Sequence, residues 1–163
     1  MRKSVLALLF LLGWATATAA QTKVSGTVQC AKPDTAYTLA AGDRPDHAFG
    51  LNRVKCTWTK PLQIAGLQTK EDELTGFSEV TGSSSTDRSY VVGTLSNGDR
   101  MFVRLQGKSM LKGGVPQSGA GTWTFAGGSG KLTGITGKGT FKCTSNPDGS
   151  STCSVEGEYQ LAK

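Results

Sequence analysis

The sequence of 163 residues has a single histidine, no C-x-x-C pair, no heptad or collagen repeat, and no apolar stripe at helical spacing that survives for three turns. Each absence excludes something. His47 stands in a Pro/Asp-rich stretch beside Asp43 and Asp46, where it reads as a solvated loop residue. A Ser-His-Asp hydrolase would need a G-x-S-x-G elbow, which is missing. Without C-x-x-C a thiol oxidoreductase has no support. The four cysteines also lack the short knuckle that structural zinc uses, so neither a metal nor a cofactor is expected. The one long apolar run, Val5 to Trp14, falls short of the roughly 18 residues that cross a bilayer, so no membrane anchor is expected. Lys60, Lys70, Arg88, Arg100, Lys108, Lys131 and Lys138 are scattered rather than striped. The aromatics do not interleave with them, which leaves no footprint for a nucleic-acid partner.

What is present begins with a leader. Arg2 and Lys3, the apolar run and the small residues of ATATAA form the three parts of a secretory signal peptide over residues 1–20. Its removal would leave a single domain, residues 21–163, in the periplasm or secreted. Taking Arg2 and Lys3 from the 18 basic residues leaves 16 against 12 acidic ones, a modest positive balance. Cys30, Cys56, Cys143 and Cys153 all lie in the mature part. An even count behind a leader reads as two disulfides made outside the cytoplasm. Of the three pairings, Cys30–Cys56 and Cys143–Cys153 are favoured, because each closes a loop between two strand-like stretches.

Strands account for most of the rest. Val24, Gly26, Val28 and Cys30 share one side of a two-residue period, as do Val54, Cys56 and Trp58. Leu62–Leu67 and Glu73–Val80 are weaker candidates. Tyr90–Leu95 and Arg100–Gln106 flank Asn97-Gly98, the pair favoured at the centre of a type I′ turn. Gly121, Trp123 and Phe125 share a face; so do Gly139, Phe141 and Cys143, and again Cys153, Val155, Gly157 and Tyr159. The expected fold is therefore all-β: an eight-stranded antiparallel closed barrel, within a range of seven to nine strands. A two-sheet sandwich has the same periodicity. Residues 31–51 are expected as a long loop, either a lid over one barrel end or a decorated turn with a short strand near Tyr37–Ala40. The segments GAGTWTF and GKGTFKC repeat G-x-G-T-aromatic. A hairpin duplication would explain this, and so would two neighbouring strands that each place Gly opposite a bulky ring.

Gly98-Asp99-Arg100, Gly121-Thr122-Trp123 and the run from Gly128 to Gly139 resemble the allene oxide cyclase and dirigent-like barrel superfamily, in particular its exported bacterial members. The resemblance covers roughly residues 90–141. It implies an eight-stranded barrel, calycin-like or dirigent-like, with a central cavity. Plant members cyclise an unstable oxylipin epoxide or steer the coupling of phenoxy radicals, holding an apolar substrate in the barrel mouth. No stretch of this chain carries their catalytic acid, proline or asparagine as a motif.

The expected ligand site is the barrel interior, lined by Trp123, Phe125, Phe141 and Tyr159, with Arg104 a candidate charged wall residue. Its occupant would be a small apolar or amphipathic molecule. The alternatives are an allene oxide cyclase-like isomerase or dirigent-like guiding protein, which needs an ionisable group facing inward, and an inhibitor or partner-binding module acting through its loops. Gly127-Gly128-Ser129-Gly130-Lys131 fails as a phosphate loop, since Phe125 and Leu132 stand where that motif needs Gly and Ser/Thr. Glu71-Asp72-Glu73 and Glu156/Glu158 read as solvated faces.

Overall fold

Alternation at this density dictates strands, and strands are what form. The structure, a computed structural model, describes residues 21–162; the expected leader lies outside them. The strands are β1 Thr22–Cys30, β2 Thr35–Ala40, β3 His47–Lys60, β4 Gln63–Ile64, β5 Leu67–Thr81, β6 Ser84–Leu95, β7 Arg100–Lys112, β8 Val115–Gly128, β9 Thr136–Ser145 and β10 Ser151–Gln160. One 3-10 turn, Gly130–Leu132, interrupts them. Neighbours run β3–β1–β10–β9–β8–β7–β6–β5. β5 then pairs with β3 from Thr81↔His47 to Glu71↔Thr57. That last ladder closes an antiparallel eight-stranded barrel and removes the sandwich alternative.

The repeated G-x-G-T-aromatic segments turn out to be complementary. Trp123 on β8 sits opposite Gly139 on β9, and Gly121 opposite Phe141. A Cβ on Gly139 would come within 2.6 Å of the Trp123 ring, and one on Gly157 within 2.5 Å. Only glycine lets that indole lie flat on the inner wall, where its Nε1–H donates to the Glu156 carbonyl at 3.1 Å. Trp123 and Phe125 meet edge to face, the arrangement ring quadrupoles favour.

Both disulfides are cross-strand pairs on the inner wall. Cys30 faces Cys56 across β1 and β3, and Cys143 faces Cys153 across β9 and β10, with Cα separations of 3.9 and 4.0 Å. The favoured pairing is thus the one formed, and no cysteine is left free.

Of the two forms expected for residues 31–51, the one with a short strand near Tyr37–Ala40 is found: β2 pairs with β3 from Thr35↔Arg53 to Ala40↔Ala48 as an edge strand, so most of the segment is paired strand rather than loop. The turn type is a correction. At the β6–β7 turn Gly98 alone has positive φ (+89°), while Asn97 does not. Leu95 accepts from Gly98 N–H and donates to Asp99, the pattern of a type I turn with a glycine bulge rather than type I′.

The barrel ends differ. Where β6 turns into β7, the fully buried Ile64, Leu95, Leu132 and Thr69 fill it. The glycine-rich run contributes Leu132 to this plug and is tied to the β6–β7 turn. Asp99 Oδ2 accepts from Lys131 N–H at 2.9 Å, and Gly130, at φ +56°, leaves no room for a side chain against the Asp99 carboxylate. Hydrogen bonds from Asn97 and then from Lys131 N–H hold the Asp99 carboxyl below its usual range. At the opposite end β3 and β5–β8, 12 to 15 residues long, outrun β1, β9 and β10 at 9 or 10. β2 takes the place beside β3 that β1 leaves.

Candidate ligand cavity

The unequal strand lengths leave a cavity of about 440 Å³ inside the barrel, running from the plug towards the long-stranded end. This is within the range of small-molecule sites, about 300–1,000 Å³. Its apolar wall comes from inward positions such as Val54, Leu74, Val103, Leu105, Trp123 and Phe141. Both disulfides contribute to it.

Of the expected site residues, Trp123, Phe125 and Phe141 line this cavity. Tyr159 also faces inward but lies at the plugged end, where its hydroxyl accepts from Ala65 N–H at 2.9 Å. It holds the β4 turn and is absent from the cavity wall. Arg104 points outward. Its β7 neighbours Val103 and Leu105 take the inner face, and its guanidinium lies 6.0 Å from the Tyr90 ring centre on the outer one. Arg100, Glu156 and Glu158 likewise occupy outward positions. The alternation of β7 and β10 already carried that parity.

Among the described residues, two carboxyl groups face the cavity, and the sequence alone did not single out either as a site residue. Asp72 lines the cavity between Leu74 and the plug. Its flanking residues Glu71 and Glu73 are exposed, so the acidic run is a solvated face only at its outer two positions. A bulge between Thr69 and Glu71 in the β5–β6 ladder breaks the period towards Thr69. Asp72 Oδ2 accepts from Trp58 Nε1–H at 3.1 Å. Asp72 Oδ1 is buried without a partner, crowded over Gly93 by the Met101 side chain. Burial pushes the Asp72 carboxyl up to about 6, with the Trp58 hydrogen bond opposing. Asp87, three inward rungs nearer the mouth, accepts from Ser85 Oγ at 2.9 Å and Ser109 Oγ at 2.6 Å. Asn52 adds a second buried, unpartnered oxygen, Oδ1. The signal for Asp72 was its shared period with Leu74 and Gly76; its acidic neighbours concealed it.

His47 is held rather than solvated. Its side chain is 9 % exposed, with Nδ1 2.6 Å from Asp43 Oδ1 and Nε2 3.2 Å from Glu79 Oε1. The ring also lies against Phe49. It ties the β2–β3 turn to β5. The Asp43 carboxyl is lowered chiefly by this hydrogen bond, then by Arg44. Among the described residues, no three potential metal ligands come together, and no helix is long and apolar enough to cross a membrane.

No family model and no curated protein matches the chain. Among solved structures it is similar to the pterocarpan synthase dirigent protein, at 11 % identity and a TM-score of 0.48, over 96 % of this chain and 100 % of that one.

Proposed function

We propose that this chain is an exported barrel that binds a small amphipathic molecule in its cavity. The observation that carries the reading is a largely apolar wall around the buried Asp72, whose carboxyl keeps one oxygen unpaired. A buried polar atom without a partner costs about 1–3 kcal/mol, more if charged. A core that served only to fold would have no use for it. Apolar ligand surface entering the cavity would contribute about 25 cal/mol per Å² buried, less the cost of association. The two disulfides favour an oxidising compartment, which supports the periplasmic or secreted location.

A second reading is a guiding or isomerising protein of the dirigent or allene oxide cyclase kind. It rests on Asp72 meeting the requirement for an inward ionisable group beside an apolar pocket. With a carboxyl near 6, Asp72 can exchange a proton close to neutral pH.

The experiment is a native-mass and tryptophan-fluorescence screen of residues 21–163 against alcohols, amines, phenolics, isoprenoids and fatty acids. Saturable binding that is weakened by Leu105→Trp, which fills the cavity, supports ligand binding. No response across the panel contradicts it.

A further inference from the structure

The charge of the interior is opposite to that of the whole chain. The full sequence carries a formal +6, yet every described lysine and arginine is exposed. Lys108 touches the cavity rim, but it pairs with Thr86 and Ala120 at an outward position, between the inward Gly107 and Ser109. Among the described residues, the charged side chains that face inward are Asp72 and Asp87, with no cation between them. They are separated by six residues along β5, counted from Asp72 to Ser78, the partner of Asp87. That is about 20 Å at 3.3 Å per residue.

Their partners complete the pattern. Asp72 receives one neutral indole N–H, and Asp87 two neutral hydroxyls. The Asn52 oxygen, beside Ser89 over Gly76, has no donor. The wall thus offers acceptors and negative charge to its occupant while presenting no positive charge. An anionic headgroup would meet like charge in a poorly solvated space. A neutral hydroxyl would satisfy a hydrogen bond but leave the charge uncompensated. An ammonium does both. A metal ion would need a cluster of ligands that the described residues do not assemble.

We infer that the cavity selects organic cations, specifically amphipathic amines whose ammonium pairs with Asp72 while the apolar tail lies along the wall towards the mouth. The inference rests on the ligand-binding reading above and names its ligand class. Met101, whose side chain lies over Gly93 with Asp72 Oδ1, is flexible enough to give way as the headgroup arrives.

Three probes with one tail isolate the headgroup: decylamine, decanol and decanoate, titrated by tryptophan fluorescence and calorimetry at pH 7.5. The expected order is amine at least tenfold tighter than alcohol, and alcohol tighter than carboxylate. Asp72→Asn keeps an oxygen for the Trp58 N–H and should bring amine and alcohol within threefold of each other. In the unmutated protein the preference for the amine should shrink between pH 7.5 and pH 5, as Asp72 takes up a proton. The other titratable group facing the cavity, Asp87, is tested by Asp87→Asn, which should leave most of the preference intact. Equal affinity for all three probes, or tightest binding of decanoate, would overturn the cation inference and leave ligand binding standing. No binding of any probe, together with silence across the wider screen, would remove the ligand-binding reading itself.

Discussion

Replacing Asp72 by Asn should stabilise the protein at neutral pH. The carboxyl goes from 3.8 in an unfolded chain to about 6 in the folded one. At 1.36 kcal/mol per tenfold change in proton affinity, that difference is worth about 3 kcal/mol. The sign follows from proton binding. Below about pH 4 both states are protonated and the ionisation penalty of Asp72 is absent. Between about pH 4 and 6 the unfolded chain ionises while the native one holds its proton, so stability falls as pH rises. Above about pH 6 the full penalty is present. Asn is uncharged and preserves an acceptor for Trp58, so Asp72→Asn should recover most of that penalty at pH 7.5 and little at pH 4. The assay is urea unfolding with disulfides intact, across pH 4–8, followed by circular dichroism. The variant should show a higher midpoint at pH 7.5 with unchanged slope, and a weaker loss of stability between pH 4 and 6. A variant less stable than the parent at pH 7.5 would refute the claim that this carboxylate is buried at a cost. Sites tuned for ligands commonly trade stability in this way.

Three other perturbations test the frame around the cavity. Gly139→Ala places a Cβ against the Trp123 ring and should cost about 1–3 kcal/mol in unfolding free energy; a neutral result would mean that the indole does not lie on that glycine. His47→Ala should raise amide hydrogen exchange across residues 41–47 by freeing the turn from Glu79, with no change at the plug; unaltered exchange would dismiss the clasp. Reduction should matter unequally. The Cys30–Cys56 link spans 26 residues and Cys143–Cys153 spans 10, so by the chain-entropy model their loss costs about 3.5 and 2.7 kcal/mol. The corresponding paired Cys→Ser variants, ranked by urea midpoint, should follow that order.

The barrel was legible because its period is strict. Val24, Gly26, Val28 and Cys30 do share the inner wall, and the two G-x-G-T-aromatic segments mark the place where each ring needs the other's glycine. The same period put Arg104 outside, since Met101, Val103 and Leu105 are apolar. The turn at Asn97-Gly98 was found but its type was not, because one positive φ at Gly98 satisfies a bulged turn as well as composition does. Residues 31–51 looked like a loop because β2 is exposed along its whole length, with Tyr37 and Leu39 at 67 and 72 %; such an edge lacks the half-buried alternation of the wall. Asp72 escaped notice because composition surrounds it with glutamates. Its inward phase follows its period with Leu74 and Gly76, while the bulge between Thr69 and Glu71 breaks that period towards Thr69 and is a property of the closed ladder.

The central claim is that an amphipathic ligand occupies the barrel beside Asp72, and the two indoles of residues 21–163 can report it. Trp58 donates its N–H to Asp72, and Trp123 donates to the Glu156 carbonyl. In protein labelled with ¹⁵N-tryptophan, the Trp58 indole resonance should titrate with a midpoint of about pH 6, and this titration should vanish in Asp72→Asn. Added decylamine at pH 7.5 should shift the Trp58 resonance saturably, with the same midpoint as the calorimetric isotherm. Binding seen by calorimetry while both indole resonances stay still would place the ligand outside the barrel and contradict the account.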